Sequence, residues 1–212
     1  MNVNTNTNND EDGKTPNHQS FKLCASGAGV IVYQLFDDKI RVLLALRAKE
    51  VGQGYGITGG GFVECKNIDN APINTLFQTS DEAFREMMEE NTGFEKIIDA
   101  DDFIERAQPI SLVHARINDI NRVHSVSMFA LRVTDNEWKK ISVLAPSKER
   151  EGSLREYFVT WDSKIDRRVP ERSVRIINAH GEPITQSGFW HKHEMHTIAC
   201  IAWHAQNDRL WK

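Results

Sequence analysis

The sequence predicts an α+β fold built on a mixed β-sheet, and three observations carry that expectation. Two apolar, β-branched runs, Gly27–Tyr33 and Ile40–Leu46, flank Asp37-Asp38, the pattern of two strands joined by a turn. A segment running from Ser80 to just before Gly93 has helical length and an acidic surface. Strand-like runs recur afterwards at 108–114, 122–133 and 155–161, so helix and strands do not alternate regularly.

Taken in order, residues 1–20 are rich in Asn, Thr and Asp and poor in apolar side chains, which predicts a disordered polar tail. Residues 21–212 are expected to form one domain. The stretch Gly52–Gly61 reads as a Gly-rich loop leading into Phe62-Val63-Glu64, and 65–79 as an irregular excursion. Thr79 and Glu82 stand in capping-box spacing, which sets the helix start near Ser80; Gly93 is the left-handed stop. Ile198, Ile201 and Ala202 give 194–205 helical apolar spacing, within a helical extension over about 166–212.

The chain has 212 residues, 40% of them hydrophobic, and a net charge of −4, enough for a real core and no global attraction to nucleic acid or an anionic membrane. No apolar run reaches the length of a membrane span, and no N-terminal stretch reads as a signal peptide. Cys24, Cys65 and Cys200 follow no metal or redox spacing, which points to reduced thiols in a cytoplasmic compartment.

The chemistry gathers in Arg85-Glu86-Met87-Met88-Glu89-Glu90. On a helix, Glu86, Glu89 and Glu90 fall at i, i+3 and i+4 and share a face. Like charges so close repel, and hard oxygen donors in this arrangement suit Mg²⁺ or Mn²⁺. Upstream lies Thr58-Gly59-Gly60-Gly61-Phe62-Val63-Glu64.

Together these segments resemble the box of the Nudix hydrolases. Gly60-Gly61-Phe62-Val63-Glu64 matches its opening, and Arg85 to Glu90 with Gly93-Phe94 matches its helix and exit. Two departures are plain. Ten residues are inserted between Gly61 and Arg85, so the first Glu of the box falls at Asn67, with Asp69, Asp81 and Glu82 as candidates for its place. Asn91-Thr92 also stands where the pattern has a single residue.

The resemblance implies an α/β/α sandwich with a catalytic loop–helix, and a pyrophosphohydrolase using Mg²⁺ or Mn²⁺. It implies metal ligation by Glu86, Glu89 and Glu90, joined by the Gly60 carbonyl and, through water, Glu64. Arg85 would orient a neighbouring Glu by a bidentate ion pair. The general base is expected among Glu149, Glu151 and Glu156 on a later loop, with Glu151 favoured, or else at Glu89 or Glu90 within the box. A homodimer is a further expectation from the family.

Leu43–Arg47, Gly52–Gly56 and Arg122-Val123-His124-Ser125-Val126, with Pro109, look like the branch acting on ADP-ribose and NAD-derived dinucleotides. In that branch Arg47, Arg116 and the Gly60-Gly61 backbone would contact the diphosphate, since guanidinium forks match phosphate oxygens. Tyr55 is expected to pack in the core. Gly59 replaces a Pro usual there, which predicts a more flexible loop. The alternatives are hydrolysis of nucleoside triphosphates, dinucleoside polyphosphates or capped RNA, a non-catalytic nucleotide sensor, and an interaction protein with a vestigial box. Sensors of this kind carry a winged helix after the domain, for which 166–212 is short. His191-Lys192-His193-Glu194-Met195-His196 does not read as a zinc site: no one structure gathers its three His, and HExxH spacing is absent.

Overall fold

The computed structural model describes residues 22–36, 39–48, 54–62, 76–116, 122–148, 152–189 and 192–210. The expected tail at 1–20 lies outside them. Along the chain run β1 (Lys22–Phe36), β2 (Lys39–Arg47), β3 (Gly54–Gly56), β4 (Gly59–Phe62), α1 (Leu76–Glu90) and β5 (Asn91–Thr92). Next come α2 (Ala100–Arg106), β6 (Ala107–Arg116), β7 (Arg122–Arg132), α3 (Asp135–Ile141) and β8 (Ala145–Pro146). The last elements are β9 (Arg155–Thr160), β10 (Arg175–Asn178) and α4 (Lys192–Gln206).

The sheet has the order β10-β9-β2-β1-β7-β6, with β3 paired to β2 and β4 to β1. Strands β1 and β7 run parallel, from Lys22↔Arg122 to Tyr33↔Arg132, and the other named pairings in this sheet are antiparallel, so it is mixed as expected.

The near-continuous apolar runs of β1 and β2 are explained by burial on both sides. With side chains alternating along a strand, Ile31 and Tyr33 join Ile40, Val42 and Leu44 in a core closed by Ile198, Ile201 and Ala202 of α4. Val30 and Val32 join Leu43 and Ala45 in a second core, closed by Ala83, Phe84 and Met87 of α1 and Phe103 of α2. Helices therefore cover both faces of the sheet, which is the sandwich.

A fork in the sheet positions the Gly-rich segment. Strand β1 pairs with β2 as far as Tyr33↔Val42, and with β4 from Val30↔Gly59. Between the two, the buried Thr58 hydroxyl accepts from the Val32 amide at 2.9 Å and donates to the Leu43 carbonyl at 2.6 Å. It satisfies two backbone groups that the splaying strands would otherwise leave bare.

Several expectations need correction. Gly52–Gly61 is not a plain loop, because β3 and β4 lie within it. Helix α1 begins at Leu76, so Thr79 is inside the helix rather than capping it. Gly93 is left-handed, with φ 92°, yet α1 stops at Glu90; Asn91-Thr92 pairs with Ala145-Pro146, and Gly93 opens a 3-10 turn at Phe94–Lys96. The 166–212 region is not helical throughout: it contributes β10 to the sheet before α4 covers a face of it. Among the described residues no helix is long and apolar enough to cross a membrane.

Candidate active site

Helix α1 packs its apolar side on β1 and β4, and its acidic side lies beside the Gly-rich strand. The contact with β4 is close. A Cβ on Gly59 would lie 2.4 Å from Met87 Sδ and 3.1 Å from Met87 Cα. Gly59 is thus required for space, and its buried place in β4 corrects the expectation of a flexible loop. One residue on, the Gly60 amide donates to Glu90 Oε2 at 3.1 Å. The side-chain amide of Asn91 donates to the Met87 carbonyl at 3.0 Å and to the Thr58 carbonyl at 3.2 Å. The end of the helix is thereby tied to the turn before β4. The residue that looked like a departure from the sequence pattern is this tie, buried at 1% exposure.

Arg85 lies among the acids. Its Nε and Nη2 reach the two oxygens of Glu82 at 3.1 and 2.5 Å, a bidentate pair, and it also donates to Glu86 and Glu89. The hydrogen bond with Glu82, reinforced by the other two acids, holds its guanidinium above the ordinary arginine range. Of the candidates to replace the displaced box Glu, Glu82 joins this cluster, Asp81 is exposed, and Asp69 lies outside the described residues. Glu86 is 13% exposed and Glu89 is 58% exposed. Burial pushes the Glu86 carboxyl up to about 7; Arg85 draws it down, while Glu90, Glu82 and Glu89 push it up.

That donor set fits a hard divalent cation: three carboxylates project from one helix face, and one of them is held near neutrality by burial and like charge. In the arrangement seen, no three carboxylate, imidazole or thiol groups among the described residues converge on one point, because Arg85 engages Glu82, Glu86 and Glu89. A cation held by this face would need Glu86 and Glu89 to turn from the guanidinium.

Other sequence candidates are dispersed. Arg47 ends β2 opposite Gly54, half-buried. Gly61 pairs with Ala28 in β4. Arg116 is the last residue of β6; its side chain, and Glu64, Glu149 and Glu151 entirely, lie outside the described residues. Glu156 accepts from Arg41 and from Trp138 Nε1, each at 3.0 Å, and is committed to the corner between β2 and α3. Tyr55 packs edge-on against Tyr157 and Phe189, as expected.

No protein-family model matches the sequence, and no curated protein matches it. Solved structures do match. A MutT/nudix family protein of Enterococcus faecalis superposes with a TM-score of 0.50 at 12% identity, over 86% of this chain and 62% of that one. A C. elegans Ap4A hydrolase, as a binary complex, gives a TM-score of 0.44 at 11% identity, over 86% and 98% of the two chains. The NUDIX domain of Shewanella oneidensis NrtR, complexed with ADP ribose, gives 0.39 at 13% identity, over 68% and 77%. The chain spans less than two thirds of the Enterococcus protein. The first superposition, with the sheet order and the two helical layers, places the chain in the Nudix fold.

Proposed function

We propose that this protein is a metal-dependent pyrophosphohydrolase that cleaves ADP-ribose, or a related NAD-derived dinucleotide, with ADP-ribose yielding AMP and ribose 5-phosphate. The observation that carries the reading is the Gly60 amide on Glu90, which joins the acidic face of α1 to a Gly-rich strand 30 residues earlier. Glu86, Glu89 and Glu90, with the Gly60 carbonyl, would hold Mg²⁺ or Mn²⁺. A bound divalent ion offsets phosphate charge and lowers the pKa of a bound water. Water adds to one phosphorus, the bridging oxygen leaves with the other phosphate, and the proton passes to a carboxylate.

Arg85 would steady the acids before loading and stay beside them afterwards through its bidentate pair with Glu82. Glu151 remains the proposed base, with Glu89 and Glu90 as the alternatives within the helix. The choice of ADP-ribose rests on the sequence resemblance around Arg47, Tyr55 and Arg122–Val126, with Arg47 and Arg116 as phosphate contacts.

The test is incubation with Mg²⁺ or Mn²⁺ and a panel of ADP-ribose, NADH, dinucleoside polyphosphates, deoxynucleoside triphosphates and capped RNA, with products separated by chromatography. AMP and ribose 5-phosphate from ADP-ribose as the preferred reaction supports the proposal. Preference for another member overturns the substrate assignment, and no turnover of any member overturns the enzyme.

A further inference from the structure

On the side of the sheet opposite α1, the connection 161–174 between β9 and β10 runs along α4. The Ile165 amide donates to the Gln206 side chain at 2.8 Å, and Gln206 Nε2 donates back to the Ser163 carbonyl at 3.0 Å. Farther along, the Arg167 guanidinium lies 5.4 Å from the centre of the half-buried Trp203 ring, and Glu171 reaches His196 at 3.1 Å. The connection therefore follows α4 backwards from Gln206 to His196, roughly 15 Å at the helical rise. Arg209, just past the helix, lies 5.0 Å from the same Trp203 ring.

The acids of this connection are engaged and its arginines are not. Asp162 pairs with Arg175, Asp166 accepts from the Arg168 amide at 2.9 Å, and Glu171 faces His196. Arg167, Arg168, Arg172 and Arg209 are exposed, and among the described residues none of them has an ion pair. Arg41, Arg85, Arg106 and Arg175 each have one.

We propose that this row of arginines binds a single-stranded nucleic acid. A guanidinium offers its edge to phosphate oxygens and its plane to an unpaired base. Trp203 holds two of the four in place, which lowers the entropy lost when a strand docks. A length of roughly 15 Å matches about four stacked nucleotides at 3.4 Å each. The net charge of −4 repels a polyanion from the rest of the surface, so binding depends on this row and on low salt. The hydrolase reading is not needed for it.

The full chain is titrated against a fluorescein-labelled single-stranded RNA lacking a terminal phosphate, read by fluorescence anisotropy. Chelator keeps divalent ions off α1. A Kd of about 10 µM or tighter is expected at about 50 mM salt, with log Kd rising against log salt at a slope of about 3 for four neutralised phosphates. Arg168→Glu combined with Arg172→Glu should weaken binding at least tenfold and lower the slope by about 1.4, with circular dichroism and thermal midpoint unchanged. A duplex of the same sequence should bind at least fivefold more weakly, because its bases are already stacked. No binding at low salt, or an unaltered slope in the double variant, overturns the proposal. So does equal binding of the duplex, of polyglutamate or of phosphatidylserine vesicles, which would mark a general anion surface.

Discussion

The amide of Gly60 donates to the carboxylate of Glu90 from a position 30 residues earlier, and with the Asn91 hydrogen bonds it holds the acidic face of α1 against β4. Glu90→Gln keeps an oxygen to accept it while removing the charge. The variant should retain native circular dichroism and thermal midpoint but lose at least a hundredfold in kcat on the preferred substrate with Mg²⁺. Steady-state kinetics beside a thermal melt checks this, and surviving activity would sink the assignment of Glu90 to the metal.

The Glu86 carboxyl gives a pH signature. Its native pKa of about 7 lies above the ordinary 4.5, so the folded protein binds more protons than the unfolded chain between those values. The stability of the metal-free protein should therefore fall as pH rises from about 4.5 to about 7 and level off above. Glu86→Gln should flatten that slope. Mg²⁺ should raise the thermal midpoint most at pH above 7, where no proton has to be displaced. Melts in chelator and in Mg²⁺ across this range provide the measurement.

Gly59→Ala places a methyl 2.4 Å from Met87 Sδ and 3.1 Å from Met87 Cα, so the Met87 side chain must turn away and the helix backbone must also give slightly. Repacking Met87 and easing α1 away from β4 should disturb the Gly60–Glu90 hydrogen bond. A drop of at least tenfold in kcat/KM, with a lowered thermal midpoint, is expected. Unchanged kinetics would show that the acidic face does not depend on this contact.

Thr58→Val keeps the shape of the side chain but strips the Val32 amide and the Leu43 carbonyl of their partner at the fork. Each buried group left bare costs about 1–3 kcal/mol, so urea denaturation should show a midpoint well below that of the native chain with little change in slope.

What the sequence made legible were the features with strong periodicity. The strands at β1, β2, β6, β7 and β9 and the helix α4 all lie where apolar spacing placed them, within a few residues at their ends. The acids of α1 were also readable, because i, i+3, i+4 spacing is geometric. The start of α1 was not: Thr79 and Glu82 imitate a cap, but the helix already runs through Leu76, Phe77 and Gln78. A real capping box, Thr134 with Glu137, opens α3 and stands in the sequence, but the helix is only seven residues long and too short for periodicity to announce. Strands β3 and β4 were hidden because glycine has low strand propensity; in β4 close approach explains its use, Gly59 against Met87 and Gly60 against the β1 backbone at Ala28 and Gly29.

The parallel pairing of β1 with β7 has a kinetic consequence. Tyr33 meets Arg132 only after roughly a hundred residues have been made, and contacts of such long sequence separation slow folding into the millisecond-to-second range. During synthesis the strand that carries both cores stays without its parallel neighbour until residue 132 has emerged. A ribosome-bound chain ending at β6 should therefore be digested readily by protease, and one carrying β7 and the later elements through α4, which closes the first core, should resist.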